Sequence, residues 1–69
     1  MENKIDSVEI GKRLRELRGD VPRSVVARKL KISYSAMAYY ESGERLPSDR
    51  VKVMLANYYG MTVQDIFFS

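Results

Sequence analysis

The stretch "RSVVARKLKISYSAMAYYES", residues 23–42, joins a short apolar helix pattern to a run rich in aromatic and hydroxyl side chains. Val26, Ala27 and Leu30 lie at the spacing of one helix face. Ser33 is a residue type that commonly caps the N-terminus of a helix, and it directly precedes the aromatic run. Since about three residues separate the two patterns, the stretch predicts a helix, a tight turn and a second helix.

The second of these helices, expected over about residues 34–42, has two different faces. Met37 and Tyr40 are three residues apart and point inward. The opposite face carries small, hydroxyl and aromatic groups: Tyr34, Ser35, Ala38, Tyr39 and Ser42. Hydroxyl and apolar groups on a helix can meet base edges and thymine methyl groups in the major groove of DNA. The alternative is that Tyr34 and Tyr39 pack on the edge of the core.

The residues before this stretch predict one more helix. Apolar residues recur along it at i, i+4 and i+7, namely Ile10, Leu14 and Leu17. It begins at residue 7 or 8 and ends at Arg18, because Gly19 is a residue type that often follows a helix. Pro22 fits the first turn of the next helix, where its missing N–H is not needed.

Two helices are predicted after the stretch. Ser48 caps the first of them, Gly60 ends it, and its inward stripe is Val51, Met54 or Leu55, and Tyr58. Thr62, with Asp65 three residues later, opens a short helix that runs through Phe68. No segment alternates as a strand does. The fold class is therefore expected to be all-α, with five short helices in a single domain of residues 1–69.

Composition and charge narrow the possible functions. The 69 residues include no cysteine and no histidine, which excludes disulfides, zinc sites built on those ligands and catalytic triads that need an imidazole. No apolar run approaches a membrane span and no signal-peptide pattern occurs, so we expect a cytoplasmic protein. The net charge is +3, but residues 10–31 hold eight basic side chains against two acidic ones. This uneven distribution is typical of a polyanion binder, although simply solvated helices would give the same count.

Three segments together resemble a known family. They are "IGKRLRELR" at residues 10–18, "VVARKLKISYSAMAYYESGERLPS" at 25–48 and "LANYYGMTVQDIFF" at 55–68. In this order and spacing they resemble the Cro/CI-like (xenobiotic-response-element type) helix-turn-helix regulators of phages, mobile elements and Gram-positive bacteria. The resemblance implies a five-helix, lambda-repressor-like DNA-binding domain with its helix-turn-helix at about 23–42. It also implies a sequence-specific transcriptional regulator, expected to be a repressor, that reads the major groove of a double-stranded DNA operator with its third helix.

The resemblance assigns roles to individual residues. The positions expected to read bases are Tyr34, Ser35, Ala38 and Tyr39. The positions expected to contact the DNA backbone are Arg23, Ser33, Ser42, Gly43 and Arg45. Arg18 and Glu41 are expected to form a partly buried ion pair that links the first and third helices.

Three positions depart from the family pattern. Arg23 replaces the usual Gln, which exchanges an amide contact for a positive charge. Lys31 stands where the family often has a Gly in the left-handed conformation, which would cost ~1–2 kcal/mol if that geometry persists. Pro22 replaces the usual Ser or Thr cap.

Rival functions have less support. Glu41 and Glu44 are i, i+3, yet no third metal ligand lies near them and no glycine-rich phosphate loop occurs. We therefore expect no enzyme, no metal, no cofactor and no small-molecule ligand. A protein–protein module of the same fold, either an antitoxin or an antagonist of another regulator, is the alternative. Such an adaptor would not need Arg23, Ser33 and Arg45 around a polar aromatic face.

Self-association is also expected. Two-fold dimers on half-sites ~34 Å apart are the usual way in which a small domain specifies an operator. Apolar residues near the C-terminus exceed what so small a core needs, and the candidates for a dimer contact are Tyr58, Tyr59, Phe67 and Phe68. The alternative is that these residues close the core over the first helix.

Overall fold

The computed structural model describes residues 6–69, so residues 1–5 of the expected domain lie outside the described part. Five α-helices follow one another along the chain: α1 (Ser7–Arg18), α2 (Arg23–Leu30), α3 (Tyr34–Ser42), α4 (Asp49–Tyr59) and α5 (Val63–Phe67). Residues 6–69 contain no strand. The predicted all-α class with five short helices is confirmed.

Side-chain caps explain where four of the helices begin. In each case an oxygen atom accepts a hydrogen bond from a backbone N–H of the first turn, and the capping residues are Asp6, Ser33, Ser48 and Thr62. The exception is α2, which follows Pro22 without a side-chain cap. Pro22 has a ψ of 142°, so it lies just before α2. The prediction that it occupies the first turn of that helix is wrong.

One apolar core holds the five helices together. Its buried members are Ile10, Leu14, Val26, Ala27, Leu30, Met37, Val51, Leu55, Ala56, Ile66 and Phe67. The prediction that Tyr58 belongs to the buried stripe of α4 is wrong. Because α4 turns Leu55 and Ala56 toward the core, Tyr58 falls outside the buried face and Tyr59 packs against the core instead.

The crossing of α1 over α3 depends on a glycine in the middle of α1. A Cβ atom built on Gly11 would lie only 2.3 Å from the carbonyl oxygen of Glu41. Any side chain at position 11 would therefore push α3 away from α1, since the obstacle is backbone. Gly43, in the left-handed conformation with φ 86°, ends α3 beside α1, and a Cβ atom built on it would lie 2.8 Å from the Cα atom of Val8.

The turn between α2 and α3 is short and tightly bonded. Lys31 adopts the left-handed conformation, with φ 57° and ψ 41°. Its N–H group and that of Ile32 bond back to the last turn of α2, where the Ile32 N–H reaches the Ala27 carbonyl oxygen at 3.0 Å. This geometry matches the left-handed position expected there, and it fixes the direction in which α3 leaves α2.

Contacts from α1 also fasten the end of the chain. The guanidinium of Arg13 donates from Nη1 to the Ile66 carbonyl oxygen at 2.7 Å and from Nη2 to the Ser69 carbonyl oxygen at 2.6 Å. These charge-assisted bonds hold α5 against α1. None of the helices within residues 6–69 is long and apolar enough to cross a membrane.

Candidate nucleic-acid interface

Helix α3 is anchored on one face and open on the other. Met37 is fully buried and Tyr40 packs against the core, which fixes the rotation of the helix about its axis. On the opposite face, Tyr34 is 54% exposed and Tyr39 is 38% exposed. Ser35 is also exposed and Ala38 is partly buried between them. The four residues expected to read bases therefore lie on one side of one helix.

Each exposed tyrosine of α3 lies under an arginine that comes from another part of the chain. The guanidinium carbon of Arg23 on α2 is 5.6 Å from the centre of the Tyr34 ring. That of Arg45, in the loop after α3, is 5.0 Å from the centre of the Tyr39 ring. Cation–π contacts of this kind restrict the rings and place two positive charges beside the open face of the helix.

The residues expected to contact the DNA backbone differ in how freely they can do so. Ser33 is exposed, but its Oγ already accepts the Ala36 N–H at 2.9 Å as the cap of α3. Ser42 Oγ donates to the Tyr39 carbonyl oxygen at 3.2 Å. Arg45 is exposed and has no carboxylate within salt-bridge distance in residues 6–69. Its charge is therefore the most available of this group.

A buried carboxylate links α3 to α1. Glu41 is only 2% exposed, and its Oε2 and Oε1 accept from Arg18 Nε at 2.7 Å and from Arg18 Nη2 at 2.9 Å. Arg18 also donates to the Val21 carbonyl oxygen at 3.0 Å, in the loop between α1 and α2. Hydrogen bonding to Glu41 raises the pKa of Arg18 above its usual value, so the guanidinium of this bidentate pair keeps its positive charge.

Arg23 binds the same carboxylate, which the sequence did not suggest. Its Nε donates to Glu41 Oε1 at 2.9 Å, and its Nη1 donates to the Tyr34 hydroxyl at 3.3 Å. The bond to Glu41 is also the main reason that the pKa of Arg23 is raised. The DNA-backbone contact expected of Arg23 must therefore compete with two internal hydrogen bonds. Nothing local in the sequence signals the pairing, because 18 positions separate the partners.

The four candidates for a dimer contact have different environments. Phe67 is 2% exposed, so its assignment to a dimer contact is wrong: its ring fills the core instead. Tyr59 is partly buried and meets the Tyr58 ring edge-on at 5.1 Å between centroids. Tyr58 and Phe68 are exposed, and Lys52 Nζ lies 5.0 Å from the centre of the Phe68 ring.

The acidic side chains and one cleft of the described residues lie outside the open face of α3. Within residues 6–69, no group of three or more acidic side chains is placed to hold a metal ion. Glu41 is occupied by two arginines, and Glu44 is exposed beside Ser42. An open, mostly apolar cleft of about 260 Å³ lies between α1 and α5, and no residue of α3 lines it.

Three comparisons with known proteins concern the fold and the family of the chain. A search of curated proteins found no match. The crystal structure of the DNA-binding domain of BldD superposes with a TM-score of 0.73 and 24% sequence identity, covering 97% of this chain and 99% of that one. At that identity the likeness concerns the fold. The family profile described as a helix-turn-helix domain matches residues 9–66, which include all five helices except the ends of α1 and α5. The chain therefore belongs to the helix-turn-helix domain family.

Proposed function

We propose that this protein is a DNA-binding transcriptional regulator that acts in the cytoplasm and inserts α3 into the major groove of a specific operator. The observation that carries the proposal is the open face of α3. Two exposed tyrosines and an exposed serine, Tyr34, Tyr39 and Ser35, project from a helix whose other face is locked into the core. A major groove is wide enough to admit such a helix, and its base edges differ in their donors and acceptors.

In the proposed interface, one set of residues contacts the bases and another set contacts the phosphates. Tyr34, Ser35 and Tyr39 meet base edges, and Ala38 lets the helix approach closely. Arg45 and the polar backbone at the ends of α3 meet phosphates, together with Ser33, Ser42 and Gly43. Phosphate contacts supply affinity without sequence information, whereas base contacts supply specificity. A protein bound in this way excludes others from the same duplex, so we assign it the role of a repressor.

The proposal is tested by titrating duplex DNA at two salt concentrations. Arg45→Gln should weaken binding to every duplex alike and reduce the slope of log K against log salt by ~1, because one phosphate contact is lost. Lys12→Gln is the matched control, since Lys12 is an exposed basic residue of α1 outside the proposed interface. It should leave the slope nearly unchanged.

Two outcomes would contradict the proposal. If Lys12→Gln and Arg45→Gln changed the slope equally, the loop after α3 would not hold phosphate. If the wild-type protein bound no duplex even at low salt, the protein–protein module would be the better reading of this fold.

We further propose that the regulator binds its operator as a homodimer through Tyr58 and Phe68. Both rings are exposed near the C-terminal end of the domain, whereas the ring of Phe67 lies in the core. Sedimentation velocity should show a dimer on a two-half-site duplex, and Tyr58→Ser combined with Phe68→Ser should weaken it. Val53→Ser is the control, because Val53 is also an exposed apolar residue of α4 but lies outside the proposed contact. A wild-type monomer, both free and on DNA, would refute the dimer.

A further inference from the structure

The side chain of Arg23 is held from two sides. Its Nε donates to Glu41 at 2.9 Å and its Nη1 to the Tyr34 hydroxyl at 3.3 Å, while the guanidinium covers the Tyr34 ring. Glu41 is itself buried and held bidentately by Arg18. Because the guanidinium is a rigid planar fork, fixing one end on Glu41 fixes the direction of the other end toward Tyr34.

This arrangement changes what the Tyr34 hydroxyl can offer to a partner. A phenolic hydroxyl has one hydrogen to donate and lone pairs to accept with. Arg23 already donates to that oxygen, which occupies a lone pair, and its positive charge makes the oxygen a weaker acceptor and the O–H a stronger donor. The hydroxyl therefore presents its hydrogen outward.

Tyr39 provides an internal contrast. The guanidinium of Arg45 covers its ring, yet the hydrogen bond that these two residues share joins the Arg45 N–H to the Tyr39 carbonyl oxygen at 3.3 Å. Within residues 6–69, no donor reaches the Tyr39 hydroxyl. Among the contacts that residues 6–69 make with one another, only the Tyr34 hydroxyl is polarised by a hydrogen bond from a cation.

We propose that Arg23 is a positioning residue that makes Tyr34 a hydrogen-bond donor to a base acceptor in the operator. The inference rests on the proposed function, since it assumes that α3 lies in the major groove. The acceptors there are guanine O6 and N7, adenine N7 and thymine O4, whereas cytosine presents an amino donor. Tyr34 therefore selects against cytosine at the base that it contacts. Arg23 contributes to specificity through Tyr34, and not chiefly as a phosphate contact.

The test uses a duplex selected by the wild-type protein from a random pool and all its single-base replacements. At one position the wild type should disfavour cytosine by about tenfold, the effect of one well-placed hydrogen bond of ~1.4 kcal/mol. Tyr34→Phe should abolish that discrimination, and Arg23→Lys should weaken it to about twofold. Lysine keeps the charge but cannot hold Glu41 and Tyr34 at once with a planar fork. Tyr39→Phe is the matched control and should leave that position unchanged.

Tyr34→Phe makes the test independent of folding, because it leaves the bonds between Glu41 and the arginines in place. If Tyr34→Phe kept the wild-type discrimination, or if Arg23→Lys kept it while Arg23→Gln weakened all duplexes equally, Arg23 would be a phosphate contact and the inference would be overturned. A selected site with cytosine preferred at the Tyr34 position would also overturn it. Failure of the wild type to enrich any duplex would instead overturn the proposed function, and the inference with it.

Discussion

Lys31 has a backbone conformation that residues with a side chain seldom adopt. Its φ of 57° places it in the left-handed region, where its N–H completes the end of α2. The Cβ atom of an L-residue crowds the following carbonyl group there, at a cost of roughly 1–2 kcal/mol. The left-handed conformation of Lys31 therefore maintains the turn between α2 and α3 but lowers the stability of the folded state.

We expect Lys31→Gly to stabilise the protein. Glycine removes the crowding, but it also gives the unfolded chain more freedom, so the net gain should be about 0.5–1 kcal/mol. Lys29→Gly is the control: Lys29 is exposed inside α2, where glycine should destabilise by about 1 kcal/mol. Urea denaturation of the two variants measures both changes. Equal destabilisation by the two glycines would show that position 31 carries no strain.

Tyr59 makes the free energy of unfolding depend on pH in the alkaline range. Its hydroxyl is buried, and no residue of the described part of the chain forms a hydrogen bond with it. Burial, with a smaller contribution from the charge of Glu41, raises its pKa to about 12. The unfolded chain has the ordinary tyrosine pKa near 10. The folded state therefore holds this proton more tightly than the unfolded state does.

The free energy of unfolding should consequently fall as pH rises from about 10 to about 12. The contribution of Tyr59 is fully present below pH 10 and is lost through the folded pKa. Because the side chain is only partly buried, solvent screening should keep this loss below the roughly 2–3 kcal/mol that corresponds to the full pKa difference. Tyr59→Phe removes the titrating group, so its stability should fall less over that interval. Denaturation of both proteins at pH 8 and at pH 11.5 isolates the difference. Parallel losses in the two proteins would contradict the buried state of the hydroxyl.

At the scale of the helices, Glu41 joins three elements. It receives Arg18 from α1 and Arg23 from the start of α2, and it lies on α3 itself. A buried ionic group is worth little relative to an apolar replacement, but removing one partner strands the charges that remain. The carboxylate therefore fixes the angle of α3 against the two helices that support it.

Glu41→Ala should destabilise the domain by about 3–5 kcal/mol, because two arginines lose their carboxylate. Glu44→Ala is the control. Because Glu44 is exposed, its loss should change the free energy of unfolding little. Combining Glu41→Ala with Arg18→Ala should be less harmful than the sum of the two single changes, as expected of coupled groups. Additive effects, measured by urea denaturation, would mean that the pair contributes nothing in solution.

The helices illustrate what the sequence alone could predict. Caps are local, so Ser33, Ser48 and Thr62 indicated the starts of three helices and glycines indicated several ends. The choice between neighbouring residues depends on tertiary packing, so the sequence wrongly predicts a buried Tyr58 and a Phe67 that is available for a dimer contact. Local pattern carries no information on how α4 rotates against the core.

The candidate site also has features that the sequence predicts and features that depend on the folded structure. The open face of α3 follows from the helical period and was predictable, as was the spacing of Tyr34, Ser35 and Tyr39. The contact of Arg23 with Glu41 joins residues 18 positions apart, and the close approach at Gly11 depends on how α1 crosses α3. Both arise from the folded arrangement of three helices, so no local sequence motif predicts them.

At the scale of the whole molecule, charge and shape support the same interface. Residues 10–31, with eight basic side chains against two acidic ones, form α1, α2 and the loop between them. The positive potential of this half attracts a polyanion over a distance of about 10 Å at ordinary salt. Helix α3 presents aromatic and hydroxyl groups beside it, so the basic part can speed the encounter with DNA, Arg45 can hold phosphate, and α3 can provide discrimination.

The most direct test of the account compares the affinity for a duplex selected from a random pool with the affinity for random duplex at the same salt concentration. The wild type should prefer the selected duplex by about 10³ or more, the ratio typical of specific binding. Tyr34→Ala and Tyr39→Ala should each cost about 1–3 kcal/mol on the selected duplex and change binding to random duplex little. If both variants kept the wild-type affinity and the wild-type preference, α3 would not be the element that reads DNA, and the central claim would be wrong.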